Sequence, residues 1–486
     1  MSTQLTKQSP LAWSFILVLL GTAMHLALAF TTELSVDEAH YALYAKHLAW
    51  SYFDHPPLVG WIQWPFVAIN APDGILRLIP ISIWIISCIL VYQIAYQLND
   101  YCSDRGLLST QIGLVNSALA GLAAVAVIVF APLPHVLAVG LVPDTLLTPL
   151  SLAILWMTLQ WIKQDGHFSL YQWIGLGLLF GLAGLSKYTA VLYAIAFVIA
   201  CLTVPRYSFL KQSGFYLAIA IALLLISPVI LWNAQHDWIS FKYQIDHGSG
   251  GTWLWRRVAA FIGLQIAVFG FLPLLGLWAF SSSVHWRTRP WIGILLIFFA
   301  LPFGVFAVLS GGGGLPHWTT PAWFCLAPIA GIGLAQWWQS DKRWLIALFA
   351  AIQGTLVVTG LTLVMTAGYP IASQFKVNPL ADLFGWRSAS IRANLLVNEL
   401  KASGIAVQNW TLASRVGWYA KPTPIYVLDD RLDQFDLWFG KLPEGSNVIL
   451  LNWSEMSFKP PVGEGQFRTC RPLDRLGIAQ IGRAHV

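Results

Sequence analysis

Long apolar runs, separated by short polar stretches, make up most of the chain. The first covers residues 11–30. Others follow at 75–98, 112–131, 145–162, 172–186, 188–204, 214–232, 257–280, 291–309, 319–338 and 344–366. A helix needs ~17–25 apolar residues to cross a ~30 Å hydrocarbon layer. The pattern therefore predicts about eleven spanning helices, the two that flank Ser186-Lys187 being short or broken. Ala27-Leu28-Ala29 resembles a signal-peptidase site, but the run containing it is long enough to span.

One interruption is unlike the others. Residues 33–58 read ELSVDEAHYALYAKHLAWSYFDHPPL. They hold Glu33, Asp37, Glu38 and Asp54 with His40, His47, His55 and Lys46. Ser35 with Glu38 three residues on reads as a capping box that opens a helix. On that helix Asp37, Tyr41, Tyr44 and Leu48 share a face, and His40 and His47 share another. Pro56-Pro57 forces an extended turn that fixes Asp54 and His55. Beyond about 368 the pattern becomes more polar. A helix over 388–402, stopped by Gly404, and strands at 425–428 and 448–451 predict a small α/β domain over 368–480. Residues 481–486 (IGRAHV) read as a translated sequencing adapter rather than natural chain.

Composition agrees with this pattern. The 486 residues are 57% hydrophobic and 10% charged, against about 25% charged in soluble domains. Mean hydropathy is +0.64. The 25 tryptophans suit a membrane–water boundary. A net charge of +6 does not indicate nucleic acid, because the basic residues are scattered among short loops. Their distribution, roughly nine inner against six outer, favours an inside N-terminus. That orientation puts 33–58 and the polar C-terminal part outside. The five cysteines form no CxxC pair, so neither a zinc ribbon nor a disulfide framework is indicated.

Several polar residues carry candidate chemistry, each with a plain structural alternative. Asp37 and Glu38 are candidate bases, yet acidic residues also favour a helix N-terminus. Asp54 and His55 suit a metal or a phosphate, or an ordinary turn. Asp144 follows Pro143 at a helix start, where an N-cap is the simple reading. Lys187 lies in GLSKYTAVL; it either snorkels to the surface or serves as a counter-ion. Residues 233–244 with Arg256-Arg257 read as an interfacial loop. His317 beside Trp318 says little alone.

Taken together, Asp37-Glu38, YFDHPPL at 52–58, Pro143-Asp144, SKYTA at 186–190, WNAQHDW at 232–238 and HW at 317–318 resemble the dolichyl-phosphate-mannose–protein mannosyltransferase superfamily. The likeness is to its family 39-like bacterial branch, and also to the aminoarabinose and galacturonosyl transferases of lipopolysaccharide. It runs from about residue 10 to 370, and more weakly through 382–386 and 410–438. It implies a type C glycosyltransferase fold, a sugar donor on a polyprenyl phosphate, and a lipid A, glycan or protein acceptor. It also implies that Asp37 deprotonates the acceptor, on the periplasmic side of a bacterial inner membrane. His55 stands where the aminoarabinose enzymes have a lysine before proline, so their phosphate contact does not carry over simply.

Such a reaction needs a base for the acceptor hydroxyl and positive charge for the leaving phosphate. Asp37, with Glu38, is expected to supply the first. Lys187, His55, Arg256, Arg257 and Lys242 are candidates for the second. A divalent cation on Asp54, His55 and Asp144 is an open alternative, and Tyr52 and His317 are further substrate candidates. A single displacement would invert the anomeric carbon. The rivals are a polar-lipid transporter or flippase, which should show internal repeats that this chain lacks, and a non-catalytic scaffold.

Overall fold

The structure is a computed structural model. It describes residues 2–106, 115–202, 209–249, 251–283, 295–367, 380–453 and 463–477. The reading of 481–486 lies outside them. The chain divides into two compact units. One comprises residues 1–26, 80–139 and 143–360; the other comprises 27–79, 140–142 and 361–486.

The first unit is helical. Among the described residues, six helices of the chain are long and apolar enough to cross a membrane, or up to eight if two sharply bent helix pairs each count as one span. Shorter apolar helices lie at Leu170–Ser186, Tyr188–Leu202 and Ile297–Leu309. The segments around Lys187 are thus short, as the pattern predicts. The helix Thr320–Trp338 is the most enclosed, nearly every side chain being buried. Small residues let its neighbours approach, as in membrane bundles. A Cβ on Gly331 would lie 2.5 Å from the Ala124 backbone nitrogen, and one on Gly333 would lie 2.0 Å from the Gly276 carbonyl. Trp161 and Trp173, both in the same apolar core, pack edge to face at 5.5 Å.

The second unit joins the polar stretch to the C-terminal residues. Ser35 caps the helix Val36–Lys46, and the predicted capping box forms. The helix ends at Lys46, so Leu48 does not share its face. Ala39, Ala42 and Leu43 pack in one apolar core with Leu412, Ala413 and Val416 of the helix Trp410–Ala420. Three short parallel strands, β1 (Ile405–Val407), β2 (Ile425–Val427) and β3 (Ile449–Leu450), form a sheet in the order β2-β1-β3. Ile405 pairs with both Ile425 and Ile449. The pattern did not predict β1. It is three residues long and buried on both faces, so it shows no alternation. The preceding helix, Trp386–Leu400, ends on Lys401 in the left-handed region at φ 51°, before Gly404 is reached.

Candidate active site

The two adjacent carboxylates of the polar stretch have different surroundings. Glu38 is buried and fully engaged. Arg77 Nε donates to its Oε1 at 2.7 Å, and Arg77 Nη2 to its Oε2 at 2.9 Å. The Ser35 amide also donates to Oε2, at 3.0 Å. Arg77 is itself buried. It donates further to the Thr32 and Glu33 carbonyls, at 2.8 and 2.7 Å. It therefore fastens the end of the first long helix to the start of the next, supplying donors for carbonyls that a helix terminus leaves open. Glu38 completes this clamp.

Asp37 is half-buried, and among the described residues its carboxylate takes no hydrogen bond. Burial raises its pKa from 3.8 to about 6; His40 opposes the rise, and Asp382, Asp54 and Glu38 add to it. A carboxylate held this way stays ionised at neutral pH and is ready to accept a proton.

The YFDHPP turn supports the helix from one side. Tyr52 is buried and stacks on Tyr44, ring centroids 3.6 Å apart. Its hydroxyl donates to the Tyr44 carbonyl at 2.7 Å. Tyr52 is thereby a structural strut. Tyr44 donates to one oxygen of Asp54. The other lies 3.7 Å from His40 Nε2. Burial would raise the Asp54 pKa, but the hydrogen bond from His40 and the charges of His55 and His40 outweigh it and hold the group below the ordinary carboxylate range. His55 is half-buried, its ring 5.7 Å from that of Tyr41. Gln434 fixes the turn by accepting from the Phe53 amide at 2.8 Å.

A second polar cluster lies within the helical unit. Asp144 is the second residue of the helix Pro143–Lys163. Lys187 Nζ lies 2.6 and 2.7 Å from its two oxygens. Both residues are buried. Lys187 sits in an extended link at φ −157° between two short helices, which turns its side chain inward. It does not snorkel to the surface, because its charge is met inside. His317 Nε2 lies 3.8 Å from Asp144. Its turn, Pro316–Thr319, is fixed by Gln265, which donates to the Pro316 carbonyl at 3.1 Å. Three helix breaks that are distant in sequence thus meet at one carboxylate.

The remaining candidates stand apart from this cluster's ion pair. Arg256 and Arg257 are exposed, and Arg257 donates to the Thr252 and Gly312 carbonyls, both at 3.1 Å. The WNAQHDW segment is a corner in which Asn233 accepts from the Ser240 amide at 3.2 Å. Among the described residues no three His, Cys, Asp or Glu side chains converge as a metal site would require.

Comparison with known proteins bears on the fold. Residues 54–232 match the family model described as dolichyl-phosphate-mannose-protein mannosyltransferase. The crystal structure of ArnT from Cupriavidus metallidurans in the apo state superposes with a TM-score of 0.57 at 16% identity, over 92% of this chain and 87% of that one. The likeness is one of fold: the chain folds as that membrane-protein structure does. A comparison with curated proteins finds no match. The resemblance seen in the motifs thus holds over 54–232 by sequence, and over nearly the whole chain by fold.

The sequence gave no sign of the structural roles of several supporting residues. Asp382 accepts from the Val36 amide at 3.1 Å and from Arg415 at 2.7 Å. Glu33 caps the helix Trp386–Leu400, its carboxylate accepting from the Trp386 and Arg387 amides at 2.7 and 3.2 Å. Asp73 collects Arg387, Trp418 and Tyr419. Every one of these contacts joins segments that no local periodicity links.

Proposed function

We propose that this protein is a membrane glycosyltransferase that moves a sugar from a polyprenyl-phosphate donor to a lipid, glycan or protein acceptor on the periplasmic side of the inner membrane. Asp37 is the general base. The observation that carries the reading is its open carboxylate beside a closed one: Glu38 is spent on Arg77, and Asp37 takes no partner among the described residues. An acceptor hydroxyl that hydrogen-bonds to Asp37 would give up its proton as it attacks the anomeric carbon. The sugar–phosphate bond breaks in the same displacement, and configuration inverts. No general acid is needed, because phosphate leaves as an anion; what helps it leave is positive charge.

Among the described residues of the helical unit, Lys187 is the buried cation suited to that role. It is paired with Asp144, so a donor phosphate would share or displace that carboxylate. Arg256, Arg257 and His55 are secondary candidates for the lipid phosphate. Glu38 is a positioning residue, because it holds the helix that carries Asp37.

The test is transfer from a lipid-linked sugar by purified Asp37→Asn protein. Turnover is expected to fall ~10²–10⁴-fold. Unchanged turnover would remove the base assignment. Mass spectrometry of envelope glycolipids and glycoproteins, with and without the gene, identifies sugar and acceptor.

A further inference from the structure

Asp73 stands where a long apolar helix meets the membrane surface. It is the first residue of the span Asp73–Asp104. At 1.5 Å per residue the 32 residues of that span measure about 48 Å, more than the ~40–45 Å of a bilayer with its headgroups. An acidic residue at the very end of such a helix lies at the level of the headgroups, not of the hydrocarbon. Asp73 is buried, because three side chains of the C-terminal residues close over it. Trp418 Nε1 donates to its Oδ1 at 3.0 Å. The Tyr419 hydroxyl donates to its Oδ2 at 2.8 Å, and Arg387 Nη2 to the same oxygen at 2.7 Å. All four residues belong to one compact unit.

Two cations lie over the aromatic rings so assembled. The Arg387 guanidinium is 5.2 Å from the ring centroid of Tyr419, and Lys421 Nζ is 3.0 Å from that of Trp418. Such rings hold a cation in place without neutralising it. Both oxygens of Asp73 are already taken, yet 53% of the Arg387 side chain is exposed. Glu33 meets the Arg387 backbone amide rather than its guanidinium. Burial lowers the Lys421 pKa to about 8; Asp73 opposes the fall, and the like charges of Lys46 and Arg387 add to it. An anion bound among these three cations would relieve their repulsion. The loop that leads to Asp73 suits the same boundary. Between the span that ends at Thr31 and the one that begins at Asp73, it exposes Trp50, Trp64 and Ile69. Exposed tryptophan and aliphatic side chains, together with lysine and arginine, form the pattern of a surface that rests among headgroups.

We propose that Arg387 and Lys421, with Lys46, form a docking surface for the phosphate groups of anionic phospholipids in the membrane that Asp73–Asp104 crosses. The bilayer is the occupant because Asp73 ties this patch to the end of a span, where headgroups reach it with no further movement. The charges are complementary, and each cation at an anionic surface adds to the attraction. Lipid charge then steadies the C-terminal residues, and the hold weakens in a zwitterionic membrane or at high salt. None of this depends on the roles given to Asp37 and Lys187.

Lysine labelling reads this surface directly. Full-length protein is reconstituted in nanodiscs of phosphatidylcholine, with or without phosphatidylglycerol, and treated with acetic anhydride, an uncharged reagent. Mass spectrometry gives the rate at Lys421 relative to Lys441, an exposed lysine of the same unit. Phosphatidylglycerol is expected to slow Lys421 roughly fivefold, the factor equivalent to about 1 kcal/mol per cation at an anionic surface. High salt should restore the rate, and in Arg387→Gln the slowing should shrink. Equal relative rates in the two kinds of disc overturn the proposal. So does an equal slowing by inorganic phosphate in phosphatidylcholine discs, which would make the patch a site for free anions. A slowing left unchanged in Arg387→Gln overturns the shared surface. If Arg387→Gln does not fold, the native protein decides alone, by the comparison of the discs and the phosphate control.

Discussion

Asp144 and Asp37 show how one side chain serves two purposes in two regions. Within the helical unit Asp144 is closed by Lys187 at 2.6 Å. In the other unit Asp37 keeps an open carboxylate beside Glu38, whose two oxygens are taken by Arg77. A charge among apolar helices has no water to turn to, so it is paired or it is not tolerated. A carboxylate on a helix of the polar stretch can remain half-hydrated. The cost of its partial burial then appears as a raised pKa rather than as a forced partner.

The largest effect should come from breaking the closed pair. Lys187→Ala leaves Asp144 buried and uncompensated, and is expected to cost about 3–5 kcal/mol. Thermal unfolding in detergent measures it. The double variant Asp144→Leu, Lys187→Met should lose far less. Equal losses would mean that the pair is not a closed unit.

Asp37→Asn should behave in the opposite way. The folded pKa of Asp37 is about 6 against 3.8 unfolded. The protonated form thus adds stability below pH 3.8 that is lost as pH rises through about 6. At neutral pH the ionised carboxylate costs up to about 3 kcal/mol. The asparagine variant should therefore unfold at the same temperature or higher while transfer collapses. A marked loss of stability would place Asp37 among the structural carboxylates. The activity of the native protein should fall as pH drops through about 6, because the base is then protonated.

Glu33→Ala comes next. It removes the acceptor for the first amides of the helix Trp386–Leu400, where Gly385 has no side chain to offer. About 0.5–2 kcal/mol is expected, the usual size of a lost cap. Arg256→Ala should change stability least, within about 0.5 kcal/mol, since the residue is exposed. If Arg256 holds the lipid phosphate, KM for the donor rises while the unfolding temperature stays put.

Part of this contrast was legible in the chain. The capping box at Ser35-Glu38 is a local rule with a local cause, and the helix forms where it predicts. The apolar runs place the helices for the same reason, and the shortness of the segments around Lys187 showed as well. The pairing of Lys187 with Asp144 did not, because the two residues are 43 positions apart and neither has a neighbour that announces the other. The same holds for Arg77, a buried clamp whose partner Glu38 is 39 positions away. It holds again for the contact of Ser414 with His40, 374 positions apart. The strand Ile405–Val407 stayed hidden because three buried residues carry no period.

The sequence by itself determined where the long helices run, that they are apolar enough for a membrane, and which short polar stretch holds the acids and imidazoles. Hydrophobic period and capping are interactions among near neighbours, so they are written along the chain. Tertiary structure decided which of those acids is paired and which is open. That choice depends on arginines, lysines and hydroxyls brought in from distant segments, and a partner at 3 Å leaves no trace in a pattern that repeats every three or four residues.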